Sequence, residues 1–378
     1  MIITRIELKN WKNFVNVDVE CTRRVFLIGP NASGKSNFLD ALRFLKDTAQ
    51  LGLERAVELR GGMKSIRCVN ARKHPNVAIS VTLDEAWRYS LTFGSDKGRN
   101  SPLVMEESVH CFNNGDTREI LHRPDRDDQE DPLRLTQTAL QQVIANRDFR
   151  DIPDFLSTIQ YRHILPQLVR EPKAFSPAPV SNDPFGRDLV STIWKTPERT
   201  RNARLKKINE ALRIAVPYLK NLSVKQNSDG VPHFEANYEY WRPNDVYRSE
   251  SDFSDGTLRL IALLWSLLDT SGPLLLEEPE LSLHEEIVAQ LPTLFARLDR
   301  DRKKAARQIF VTTHSESMLR DPGIGPGEVL RLEPGAEGVA VLPPTEEEKI
   351  LMTEGGLSAA DVLLPKTRPA DIQRLGLF

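Results

Sequence analysis

Gly29-Pro30-Asn31-Ala32-Ser33-Gly34-Lys35-Ser36 carries two glycines, a lysine and a hydroxyl at the spacing that wraps backbone N–H groups around a phosphate. The glycines let the chain turn its amides inward, and a helix starting there adds its positive N-terminal end. In that chemistry Lys35 reaches the β- and γ-phosphates and the Ser36 hydroxyl holds Mg²⁺, with Asn37 in the same first turn. A nucleoside triphosphate is the expected ligand. A second candidate set is acidic: Glu277-Glu278-Pro279-Glu280 follows the apolar run Pro273-Leu274-Leu275-Leu276. There Glu277 would hold Mg²⁺, through water, and Glu278 would orient and deprotonate the attacking water. Adjacent acids after an apolar strand also suit an exposed turn, and the phosphate loop upstream favours the catalytic reading. His314, after the apolar run Gln308 to Val311, reads by itself as a turn histidine.

Elements of the right kind flank each set. Val25-Phe26-Leu27-Ile28 reads as a buried strand into the phosphate loop, and Phe38, Leu39, Leu42 and Leu45 share one helix face after it. Ile2 to Leu8 and Phe14 to Val19 alternate as two strands around a turn. Residues 75–113 predict further strands with hairpin turns, hence an antiparallel sheet beside the nucleotide core. Residues 122–131 read as a solvated charged loop, 133–146 as helix, 154–162 as strand and 171–186, with four prolines, as a linker. Pro197 opens a helix to about residue 215, and Ser254-Asp255-Gly256 opens an apolar one to Leu268. Strand 273–276, helix 284–298 and strand 308–311 form a parallel crossover unit, with the polar residues at the strands' carboxyl ends.

The chain has 378 residues, net charge −2 and three separated cysteines, Cys21, Cys68 and Cys111. The near-neutral charge supplies no global basic field, and the cysteines fit reduced thiols in a cytoplasmic protein. The longest apolar stretch, Leu258 to Leu268, contains Arg259 and is too short to span a bilayer, so no membrane partner is expected.

In this order the segments resemble the ABC-class ATPase heads of the SMC, RecF and OLD type, over roughly residues 1–70 and 250–320. Gly29 to Ser36 match Walker A, Ser254-x-Gly256 the signature, Glu277 to Glu280 Walker B with its base, Ser282-Leu283-His284 the D-loop, and Thr313-His314-Ser315 the histidine switch. The fold so implied is α/β, a P-loop NTPase head of ABC type with an antiparallel β subdomain and a helical insertion. Arg60-Gly61-Gly62 resembles the arginine loop, which implies that Arg60 approaches phosphate or DNA; read from its neighbours alone it is equally a surface arginine. Gln160 is the choice for the metal-facing Q-loop glutamine, with Gln167 as alternate. Asp255 departs from the usual signature by putting an acid beside the expected γ-phosphate site.

The resemblance further implies an ATP- and Mg²⁺-dependent ATPase, with ATP sandwiched in a head-to-tail homodimer whose signature comes from the second copy. The expected organisation is a discontinuous head (1–170 and 250–345), an inserted lid (171–249) and a tail (346–378). An action on DNA, or on a nuclease or toxin effector, in DNA repair or phage defence is the leading expectation; a transporter ATPase subunit and a metabolic kinase are the alternatives. The basic run Lys195, Arg199, Arg201, Arg204, Lys206 and Lys207 is the candidate DNA patch, against the plainer reading of a solvated charged helix. Only 64 residues follow His314, and Glu346-Glu347-Glu348 reads as a solvated helix start, so nuclease activity is expected from a partner.

Overall fold

Alternation builds the first sheet. Strands β1 (Ile3–Trp11), β2 (Phe14–Glu20), β4 (Val77–Leu83), β5 (Trp87–Ser95), β6 (Pro102–Asn113) and β7 (Asp116–Arg123) pair in the order β2-β1-β4-β5-β6-β7. In β4 every second residue is buried, and Val77, Ile79 and Val81 face Phe93, Leu91 and Tyr89 across the ladder. Helix Lys35–Leu51 packs there through Phe44, whose ring stacks 5.0 Å from Phe93 and lies 5.2 Å from Trp11. The computed structural model describes residues 1–70, 76–95, 101–113, 115–172, 183–239, 246–269, 272–300 and 307–368. Residues 173–182 of the expected linker lie outside these.

The second sheet holds β3 (Arg24–Ile28), β8 (Gln160–Arg162), β12 (Leu274–Glu277), β13 (Ile309–Thr312), β14 (Val329–Gly335) and β15 (Gly338–Leu342), in the order β15-β14-β3-β13-β12-β8. Its centre is parallel: β3 pairs with β13, Leu27 opposite Thr312, and with β14. Within them Val25 to Ile28 and Ile309 to Val311 are continuous apolar runs, as strands buried on both faces require. Helix Glu285–Arg300 joins β12 to its neighbour β13, the expected crossover.

By contacts the chain forms two compact units, Met1–Gln160 with Ser271–Leu275 and Asp299–Phe378, and Tyr161–Thr270 with Leu276–Leu298. The second unit contains a small antiparallel sheet, β11-β10-β9, from β9 (Leu219–Gln226), β10 (Pro232–Tyr238) and β11 (Val246–Arg248). Helices Glu198–Ala215 and Asp255–Leu268 share one core with it, with Ile208, Leu212, Leu222, Phe234, Ile261 and Trp265 buried together. Residues 250–269 lie in this second unit, where helix Asp255–Leu268 buries its apolar side in the core. Residues 346–368 belong to the first unit, where Glu348 is buried against Arg331 at 2.9 Å.

Three local expectations also change. Segment 133–146 is two short 3₁₀ turns, Pro132–Thr136 and Ala139–Gln141, and not a helix. Its backbone groups are taken by the sheet: the Glu107 carboxylate accepts from Ala139 N, and Arg123 donates to the carbonyls of Arg134 and Gln137. The charged stretch 122–131 is not wholly solvated either, since Arg123 and Asp128 are buried and paired at 2.9 Å. Finally, 154–162 begins as the end of helix Asp151–Ser157, with strand only at β8.

Candidate functional site

In the first unit the phosphate loop is held from below by Asn13, in the turn between β1 and β2. Its Nδ2 donates to Ser33 O at 3.0 Å, and its Oδ1 accepts from Asn37 Nδ2 at 2.9 Å. Gly34 adopts φ 94°, and a Cβ there would lie 2.1 Å from Asn13 Nδ2. Glycine is required on both counts. Gly29 is also forced, since its Cβ would sit 2.7 Å from Leu332 O and from Ser33 Oγ. Helix Lys35–Leu51 starts with no side-chain cap and no acid in its first turn, so its positive end faces the loop. Lys35 is buried, its Nζ donating to Gly29 O at 3.0 Å and Pro30 O at 3.1 Å. The lysine charge therefore sits in the loop's concavity. Ser33 Oγ is buried there without a hydrogen-bond partner among the described residues. Asn37 meanwhile turns its side chain to Asn13 and its carbonyl to Trp11 Nε1.

His314 is exposed just past the end of β13. Because β13 runs parallel to β3, with Thr313 N donating to Leu27 O, this end lies beside the strand that enters the phosphate loop. Arg60 is held deep in the same unit. Its guanidinium pairs with Asp40 at 3.0 Å and Asp47 at 2.9 Å, donates to Ala56 O and lies 5.1 Å over the Phe44 ring. Burial alone would raise the Asp40 carboxyl, but Arg60 and Lys12 outweigh it and hold it below the usual carboxylate range. Arg60 thus fastens helix Lys35–Leu51 to the segment after it, and is no surface arginine.

In the second unit Ser254 caps helix Asp255–Leu268, its Oγ accepting from Thr257 N at 3.2 Å. Asp255, the unexpected acid, is paired with Arg170 at 2.6 Å, which offsets its charge. Gly256 has no room for a side chain, because a Cβ would lie 2.4 Å from Ser282 O. The Ser254-Asp255-Gly256 turn therefore presses directly on the loop that follows Glu277 and Glu278. Glu277 ends β12 and accepts a hydrogen bond from the Tyr161 hydroxyl. Glu278 has φ 42°, a left-handed conformation that non-glycine residues hold at a cost of ~1–3 kcal/mol, usually at functional sites. Arg259, on helix Asp255–Leu268, is buried; burial lowers its pKa against the opposing pull of Asp255, Glu278 and Glu280.

Gln160 and Gln167 behave differently from Tyr161. Gln160 Oε1 accepts from Arg307 Nη2 at 3.0 Å, and Gln167 is exposed on the short helix Pro166–Arg170. Asn13 and Tyr161 carried no signal in the sequence, since a turn asparagine and a strand tyrosine are commonplace. The basic run is less open than expected. Arg201 lies 4.6 Å over Trp194, and Arg204 lies 5.1 Å over Trp265 and reaches Asp269, leaving Lys195, Arg199, Lys206 and Lys207 exposed.

No described helix is long and apolar enough to cross a membrane. Among solved structures the chain is similar to the SmcHead in its crystal structure with the C-winged helix domain of ScpA, with TM-score 0.56 and 14% identity, covering 92% of this chain and 99% of that one. The SMC head domain from Thermotoga maritima is 14% identical, with TM-score 0.47 and coverage of 91% of this chain and 100% of that one. The first likeness establishes the fold, an α/β P-loop head of SMC type. No curated protein matches the chain by sequence. A family model does match, from the start of β3 through the helix after His314, residues 24–320. The chain belongs to the family described as "AAA domain, putative AbiEii toxin, Type IV TA system".

Proposed function

We propose that the chain is an ATP-hydrolysing switch that closes as a head-to-tail homodimer around ATP. The observation that carries this reading is the phosphate loop, with Gly34 shaped against Asn13 and the Lys35 charge inside the turn. The loop suits a polyphosphate: an uncapped helix start, a buried lysine and the orphaned Ser33 hydroxyl all favour an anion. Ser36 and Glu277 are hard oxygen donors of the kind Mg²⁺ takes together with substrate phosphates. Bound there, Mg²⁺ would neutralise charge on the β- and γ-phosphates.

Residues 29–37 bind the phosphates, Lys35 countering their charge. Glu278 takes the proton from the attacking water, and His314 contacts the γ-phosphate side. Ser254 and Gly256 of a second copy close the opposite face. The motif order and the family support these roles. Arg60 is left out, its donors being engaged by Asp40, Asp47 and Ala56. The output of the switch is an action on DNA or on a nuclease or toxin effector, and the toxin–antitoxin family description supports the effector. Lys35→Ala tests the reading by calorimetry: ATP binding should vanish in a folded protein, and unchanged affinity would overturn it.

A further inference from the structure

Successive side chains of a strand point to opposite faces, so Gln160 and Tyr161 cannot serve the same neighbour. Gln160, whose backbone N donates to Pro273 O at 2.8 Å, sends its amide to Arg307. Tyr161 sends its hydroxyl to Glu277 Oε2, and His163 Nδ1 lies 3.4 Å from the Glu277 carbonyl. From this we infer that Tyr161 is the positioning residue for the metal-binding carboxylate, whereas Gln160, expected to face the metal itself, turns its amide to Arg307. The inference rests on the proposed assignment of Glu277 to Mg²⁺.

The physical argument has two parts. A glutamate side chain has three rotatable bonds, and ordering it on ion binding costs on the order of 1–2 kcal/mol of rotamer entropy. A phenol donating to one carboxylate oxygen fixes the rotamer beforehand with a charge-assisted bond. The bond occupies one oxygen of a group with about four acceptor sites, so it is compatible with ligation through the other. Tyr161 acts through Glu277 and touches neither nucleotide nor metal. Loss of such an outer partner typically weakens metal binding ~10–100-fold.

The test uses the full chain with Mn²⁺ as a paramagnetic stand-in for Mg²⁺ and a non-hydrolysable ATP analogue. Electron paramagnetic resonance gives Mn²⁺ affinity, and calorimetry in EDTA gives metal-free nucleotide affinity. Tyr161→Phe, which keeps the ring, should weaken Mn²⁺ roughly 10- to 100-fold while metal-free nucleotide affinity stays the same. Gln160→Ala should lose less Mn²⁺ affinity than Tyr161→Phe. In a Glu277→Gln background the tyrosine change should make no further difference. Unchanged Mn²⁺ affinity in Tyr161→Phe, an equal loss in both readouts, or a larger loss in Gln160→Ala would each overturn the inference. A wild-type protein that binds the analogue in EDTA but shows no carboxylate effect on Glu277→Gln would overturn it through the metal assignment. One that binds no nucleotide at all would instead sink the functional reading.

Discussion

Asn13 Nδ2 lies where a side chain on Gly34 would have to go, 2.1 Å from the position of its Cβ. The asparagine comes from the β1–β2 turn and supports the loop through Ser33 O and Asn37. Shape and support of the phosphate loop are thus one contact. Gly34→Ala should weaken ATP binding by roughly 100-fold or more, combining backbone strain of ~1–3 kcal/mol with displacement of Asn13. Asn13→Ala should cost roughly 5- to 100-fold, the size of a part-buried carbonyl losing its donor. Calorimetry on both variants decides. Equal affinity for Asn13→Ala and wild type would remove Asn13 from the loop's support.

Gly256→Ala should separate binding from turnover. Its Cβ would strike Ser282 O and push on the turn that carries Glu278. Turnover should fall ~10-fold or more, as misplacement of catalytic groups by about an ångström does, while ATP affinity of the monomer holds. Steady-state kinetics beside calorimetry reads the split, and a parallel loss of both would argue for general unfolding.

Glu348 makes a pH prediction. Burial alone would raise its carboxyl, but hydrogen bonds from Lys366, Thr345 N and Arg331 bring it down to about 2. A carboxyl depressed in the folded state stabilises the fold above its unfolded pKa, near 4.5, and that stabilisation is lost as pH falls from there toward about 2. Glu348→Gln should therefore destabilise the protein at pH 7 by about 1–3 kcal/mol and much less near pH 2.5. Urea melts at the two pH values test this, and an equal gap at both would refute the linkage.

Charge reversal on the basic helix should divide its residues. Arg204→Glu places an acid over Trp265 and beside Asp269, and should lower stability by about 1–3 kcal/mol. Lys207→Glu, on the exposed side, should change it by less than about 0.5 kcal/mol. If the helix binds DNA, Lys207→Glu should lower affinity and flatten its salt dependence. Thermal melts and binding titrations at two salt concentrations give both answers.

The fold was most legible where local pattern and burial coincide. Val25 to Ile28 and Ile309 to Val311 are apolar runs because both faces of the parallel sheet are covered, and alternation in β4 marks a half-buried strand. The glycines of the phosphate loop were visible because their spacing is local. What could not be read there is contact between distant residues. Asn13 meets a loop twenty residues on, Tyr161 meets Glu277, Arg170 offsets Asp255, and Arg60 finds Asp40 and Asp47. Segment 133–146 misled for the same reason: Glu107 and Arg123 take the backbone groups that a helix would have used.

The central claim is that Glu278 drives hydrolysis of an ATP that holds two copies together. Glutamine keeps the shape of Glu278 but cannot accept the proton, and loss of a general base typically slows turnover ~10²–10⁴-fold. ATP that persists is held by two copies in the dimer and by one in the monomer, so it binds the dimer more tightly and by linkage must enrich it. Light scattering of Glu278→Gln in ATP and Mg²⁺, with phosphate release followed in the same sample, is the most direct measurement. The account predicts slow release and a dimer fraction above wild type, abolished by Ser254→Arg. Wild-type release, or a monomer with ATP bound, would contradict it.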